Sequence, residues 1–177
     1  MKYLSWILAV ACLLVATAAY GQSLDGAKFS ISGKALGYAA GGMSLVAADA
    51  VSAVQISPKL AVRNDNIILS DPNASSVAAF ELGGAQYNLP FDKLLGKTFL
   101  DPSKYKFYAV GEAGLVTSSL GQSPAFSAGV GLDYFPQSTP SVVVNLFEAR
   151  VLNGRVGLGP GKTVTNGVAF SVGLTFK

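Results

Sequence analysis

The chain has 177 residues, half of them hydrophobic and 13% charged, against a typical charged share of about 25%. That length fits one domain with a full core, and so little polar material covers a soluble surface poorly. The formal charge of +3 comes from scattered Lys and Arg with no basic run, which excludes a nucleic-acid partner held by a clustered patch.

The first residues, MKYLSWILAVACLLVATAAYGQS, give one basic residue, Lys2, then an apolar stretch from Leu4 to Val15, then small residues. This is the layout of a secretory signal peptide. Cleavage is expected after Gly21 (Ala19-Tyr20-Gly21), with Ala18 as the alternative, leaving 22–177 as the exported domain. Read instead as an uncleaved anchor, the apolar run falls short of the ~20 residues a helical span needs. Cys12, the only cysteine, lies inside this segment, so the exported chain has no disulfide to make.

Eight strand-like segments follow: Lys28–Gly37, Met43–Ile56, Lys59–Leu69, Ser76–Tyr87, Tyr105–Thr117, Ala125–Phe135, Ser141–Leu152 and Val164–Lys177. Turn chemistry separates them, in GYAAGG, SP, SDPNASS, SSLGQSP, PQSTP and NGRVGLGPGK. Many short strands with Gly and Pro between them indicate an all-β sandwich or barrel. In the first segment Phe29, Ile31, Gly33 and Ala35 alternate with Lys28, Ser30, Ser32 and Lys34. In the sixth, Phe126, Ala128, Val130, Leu132 and Tyr134 alternate with Ser127, Gly129, Gly131 and Asp133. In the last, Val168, Phe170, Val172, Leu174 and Phe176 alternate with small or polar residues. The second, third, fifth and seventh are mixed; placing Glu148 and Arg150 on one face of the seventh also puts Val144 and Leu146 there.

A membrane barrel carries polar residues inside and apolar ones outside, so it is hydrophobic overall yet alternating. Eight tilted strands of ~9–11 residues with short links fit the available length. With the chain starting on the periplasmic side, Phe29, Tyr87, Tyr105, Tyr134 and Phe176 fall at one rim, as an interfacial aromatic girdle requires. The opposite rim shows only Tyr38 and Phe126.

SAGVGLDYFP, followed by one strand and the terminal VAFSVGLTFK, resembles the end of the small outer-membrane β-barrel family, which includes the transmembrane domain of outer-membrane protein A. The likeness is specific over Ala125–Lys177 and generic from Lys28 to Leu120. It implies an eight-stranded antiparallel up-and-down transmembrane barrel set in outer-membrane lipid. It further implies that the barrel assembly machinery reads the last strand through Ser171, Gly173 and Phe176; the chain ends on Lys177 where one more aromatic is usual. The roles implied are envelope integrity, adhesion or at most a narrow pore. A peptidoglycan-binding domain, which some relatives carry, is not expected. The connection Asn88–Lys104 is long for a periplasmic link; it reads either as a short amphipathic helix at the interface or mouth, or as a loop on the outer side.

Histidine is absent, and with it the commonest general base and metal ligand. The lipid A-remodelling enzymes that resemble this fold use a histidine, so catalysis is not expected, and no cofactor or metal is either. In a small barrel the interior is filled by side chains. An interior polar network of Lys34, Glu112, Asp133, Glu148 and Arg150 is therefore expected, with Glu81 drawn in as well and Lys106 or Arg63 as further partners. RVGLGPGK lacks phosphate-loop spacing and a following helix. Asn73-Ala74-Ser75 fits a glycosylation sequon but reads more simply as a turn. Asp65, Asp71 and Asp101 lack calcium-loop spacing. Outer loops at Gly37–Gly42, Ser70–Ser75, Ser118–Pro124 and Asn153–Thr163 are the expected surface for an extracellular ligand. The competing reading is a soluble secreted β-barrel or sandwich that binds a ligand or packs into an extracellular assembly.

Overall fold

The computed structural model describes residues 28–71, 76–90, 100–157 and 163–177. The signal segment, the Asn73 sequon and the part of the long connection expected to form a helix lie outside them. Eight strands run β1 (Lys28–Ala40), β2 (Met43–Gln55), β3 (Leu60–Asp71), β4 (Ser76–Asn88), β5 (Tyr105–Ser118), β6 (Gly121–Tyr134), β7 (Val142–Gly157) and β8 (Thr163–Phe176). Each pairs antiparallel with its neighbours, and β8 returns to β1, with Phe176 opposite Ile31 and Val168 opposite Ala39. The terminal strand is thus the closing seam. It removes the free edge that would leave a row of backbone groups unpaired.

The strands run further than expected at the end away from the termini. Gly41 and Gly42 have φ of 55° and 78°. Two positive-φ residues in succession are what a two-residue type I′ hairpin needs, so β1 and β2 continue to a tight turn rather than a loop from Gly37. Likewise Gln122, Ser123 and Pro124 lie in β6 opposite Thr117, Val116 and Leu115, and Asn153–Gly157 belong to β7. The described residues that flank the connection 88–104 lie at the same end of the barrel as Lys28 and Phe176. There the Asn88 amide donates to the Pro58 carbonyl of the β2–β3 turn at 3.1 Å. Ser103 donates twice to Asp101 Oδ1 before β5 begins, holding that exposed carboxyl below its ordinary range.

Strand β7 resolves its own mixed pattern with a register shift between Asn145 and Glu148. One extra residue leaves Leu146 and Phe147 both facing outward, 41% and 38% exposed. Beyond that bulge the alternation is inverted, so Glu148 and Arg150 point in without taking Val144 or Leu146 with them.

The interior is layered along the barrel axis. Towards the hairpin end it is apolar, packed by Leu36, Tyr38, Ile67, Leu69, Phe80, Leu82, Val116, Leu152 and Val156. Below this plug lies a belt of charged side chains. At the terminal end there is a polar cavity of about 90 Å³ lined by Ser30, Ser32, Lys106, Asp133, Phe135 and Lys177, among others. The plug fits because of a glycine: a Cβ on Gly167 would run into the Tyr38 ring. Gly167→Val should therefore destabilise the barrel by about 1–3 kcal/mol through overpacking. In urea unfolding, Gly167→Val/Tyr38→Ala should lose less than the sum of the single variants, because the added methyls occupy the vacated ring space.

Candidate functional site: a charged cluster inside the barrel

Strands β1, β2, β3, β5 and β7 each turn an ionisable side chain inward at the same level: Lys34, Asp49, Arg63 with Asp65, Glu112, and Glu148 with Arg150. All seven are buried. Arg63 holds Asp65 through Nε at 2.8 Å and Nη2 at 2.5 Å, a two-pronged geometry suited to a planar guanidinium. Arg63 also lies 3.1 Å from Glu112 Oε1 and 3.2 Å from Glu148 Oε2. Arg150 reaches Asp49 at 2.8 Å, Asp65 at 2.5 Å and Glu112 at 3.1 Å, and also contacts Glu148. Lys34 completes the Glu148 shell at 2.7 Å. Tyr108 Oη donates to Glu148, and Asn145 Nδ2 donates to Tyr108 at 2.8 Å and to Asp133 at 2.9 Å.

The polar side chains reach their partners by passing over glycines. Strands lie about 4.8 Å apart, so a contact between alternate strands spans nearly 10 Å over the strand between. Gly84 sits in register between Arg63 and Glu112. Gly131 sits between Tyr108 and Glu148. Gly129 lies beside Arg150, and Gly173 beside Lys34. A Cβ on any of the four would collide with the side chain it faces or with neighbouring backbone. A methyl group there would close the gap the bridging side chain uses.

The charged groups of this arrangement are engaged with one another. Carboxylate oxygens of Asp49, Asp65 and Glu148 lie within 4.8 Å of one another, a spacing that a metal cation could bridge. The Arg150 guanidinium already contacts all three, and so fills that position. Asp65, Asp71 and Asp101 are not brought together: Asp65 is in the cluster, Asp71 ends β3, and Asp101 is in the exposed turn before β5.

Of the residues expected inside, Lys34, Glu112, Glu148 and Arg150 share the cluster, with Asp133 attached through Asn145. Glu81 is a correction: it faces outward on β4, exposed, because the alternation set by buried Phe80 and Leu82 leaves it no other side. Lys106 does not join the ion pairs. Its ammonium lies 4.8 Å from the centre of the Phe135 ring, which it shares with Lys177 at 4.2 Å. Burial, with Lys106 close by, holds Lys177 below its ordinary range. Asp49, Asp65, Tyr108 and Asn145 are cluster members that sequence reasoning missed; only Tyr108 and Asn145 had an inward glycine beside them, Gly131 and Gly173, as an available signal.

Tyr87, Tyr105, Tyr134, Phe29 and Phe176 all lie at the terminal end, where the Tyr105 and Tyr134 rings are 5.1 Å apart. Ser171 and Gly173 face inward and Phe176 outward on the closing strand.

No protein-family model and no curated protein matches the chain. Among solved structures it is similar to Neisserial surface protein A, at 16% identity and TM-score 0.59, over 86% of this chain and 99% of that one. It also matches the outer membrane protein OprG of Pseudomonas aeruginosa, at 12% identity and TM-score 0.47, over 84% and 94% of the two chains. A third match is Ail, the attachment invasion locus protein of Yersinia pestis, at 10% identity and TM-score 0.44, over 85% and 96%. The first likeness establishes the fold, that of the small eight-stranded outer-membrane barrels.

Breaking the cluster should be costly, since losing one partner leaves uncompensated buried charge. Arg150→Met is expected to lower stability by about 3–5 kcal/mol, read as a lower urea midpoint of the folded barrel. Tyr108→Phe, which removes one hydroxyl, should cost only about 1–3 kcal/mol in the same assay.

Proposed function

We propose that this chain is a non-enzymatic outer-membrane barrel whose interior is a structural anchor and whose working surface is the hairpin end. The observation that carries this reading is the inversion of the barrel. Ions are buried inside, while Val46, Phe126, Val151, Phe170, Val172 and Leu174 stand exposed on the outside. In water that exterior would be a liability; in lipid it is the favourable face. Strands of 12 to 16 residues exceed the ~9–11 needed to span, so the hairpin end would project beyond the hydrocarbon. The aromatic side chains at the terminal end suit a periplasmic interface. The position of β8 as the closing seam suits recognition of Ser171, Gly173 and Phe176 by assembly machinery before closure.

Among the structural, adhesive and pore roles, the interior favours the first two. The apolar plug and the ion cluster fill the lumen, so a pore has no path through the described interior. Adhesion or ligand binding would fall to the hairpin end.

Refolding into phosphatidylcholine vesicles tests the membrane reading. The barrel should co-float with the lipid and migrate differently on a gel before and after boiling. A protein that stays soluble without detergent and shows no such shift would instead favour the secreted, ligand-binding barrel. In planar bilayers the folded protein should give no discrete conductance steps; steady ion currents would reinstate the pore.

A further inference from the structure

We propose that the outer wall of β2, β3 and β4 is where two copies of this chain meet in the membrane, an inference that rests on the membrane reading above. The remaining wall is suited to lipid. Outward positions on β1 are Phe29, Ile31, Gly33, Ala35, Gly37 and Ala39, and β8 presents Val168, Phe170, Val172, Leu174 and Phe176. On β6 the outward residues from Phe126 to Tyr134 are all apolar. Outward polar groups on β7, Asn153 and Arg155, are confined to the hairpin end.

The β2–β4 wall differs. Asn64 and Asn66 on β3 and Glu81 on β4 face outward, with Ser52 on β2 opposite Asn64, and Asn66 opposite Glu81. Glu81 lies six residues along β4 from outward-facing Tyr87, and Asn64 is paired with Gly83, four residues from it. At ~3.4 Å per residue and a tilt of ~40°, these groups sit roughly 10–15 Å above the aromatic rim, about the middle of a ~25 Å apolar band. Acyl chains offer them neither donor nor acceptor. Glu81 has no hydrogen-bond or ion-pair partner among the described residues.

A second copy supplies what is missing. Asn66 Nδ2 donates to Asn64 Oδ1 at 2.9 Å, leaving both protons of the Asn64 amide free to donate. Glu81 supplies only acceptors. A two-fold axis along the membrane normal, passing between β3 and β4, sets β3 of one copy against β4 of the other. The Asn64–Asn66 amide pair of each copy, with Asn66 in register with Glu81, then faces the opposite Glu81, and the two Glu81 carboxylates stay on opposite sides of the axis. Ala48, Ala50 and Gly83 keep the wall low enough for the sheets to approach.

Thiol crosslinking in vesicles with a bis-maleimide of about 10 Å span, matched to the distance between facing walls, tests this, in a Cys12→Ser background so that each variant carries one cysteine. Val62→Cys, on the proposed face and 51% exposed, should yield a covalent dimer with that reagent, because β3 of each copy lies diagonally across from the other. Val172→Cys, on β8 and 55% exposed, should yield little. Adding Asn64→Leu, Asn66→Leu and Glu81→Leu to Val62→Cys should reduce trapping to the Val172→Cys level while the heat-dependent gel shift persists. Equal trapping of the two cysteines in barrels that show the shift overturns the dimer and leaves the membrane reading standing. If no variant enters the vesicles, both fall.

Discussion

An eight-stranded barrel has room at each level for only a few large side chains, and the rest of this structure follows from how they are shared out. The odd-numbered strands supply the bulk of the charged belt: Lys34 from β1, Arg63 and Asp65 from β3, Glu112 from β5, Glu148 and Arg150 from β7. The even strands yield space. Gly84, Gly129, Gly131 and Gly173 come from β4, β6 and β8. Asp49 is the one charge of the belt drawn from an even strand, and it is short. Placing Arg and Glu on adjacent strands would crowd the lumen, whereas alternating them with glycine lets each reach a partner two strands away.

The same division explains why the interior tolerates so many buried ions. Desolvating a charge is expensive unless its full complement of partners is present. Three cations and four carboxylates occupy one level; Glu148 contacts all three cations and also accepts from Tyr108, with Asn145 behind it, whereas Asp49 keeps one buried oxygen without a hydrogen-bond partner. The apolar plug seals one side of this belt, where Tyr38, Phe80 and Leu152 leave no room for solvent. The polar cavity opens the other side towards the terminal end.

How much of this could be read from the residues varies strand by strand. β1, β6 and β8 carry clean two-residue alternation, so their faces were legible, while the choice of barrel over sandwich rests on the overall hydrophobicity and the resemblance of the last strands. β3 was not, because RNDN places Arg63 and Asp65 inside but Asn64 and Asn66 outside, and polarity on both faces cancels the signal. β7 defeated a strict period of two, since the bulge at Leu146 and Phe147 is a backbone event that hydrophobicity does not encode. Glu81 was misplaced by the assumption that a charge in such a chain must point inward, although its buried neighbours Phe80 and Leu82 fixed its side. Within the belt, charge type identified several members. Asp49, isolated in MSLVAADAVSAVQ, gave no hint that its partner Arg150 lies 101 residues away.

The glycine-spanning contacts also have a mechanical meaning. A ring of strands held only by neighbour-to-neighbour hydrogen bonds can flatten into an ellipse with little change in any single bond. Links between alternate strands cannot be kept at fixed length in that way. Arg63 to Glu112 ties β3 to β5, Arg150 to Glu112 ties β7 to β5, and Lys34 to Glu148 ties β1 to β7. They act as internal struts, holding the cross-section round against lateral pressure from its surroundings.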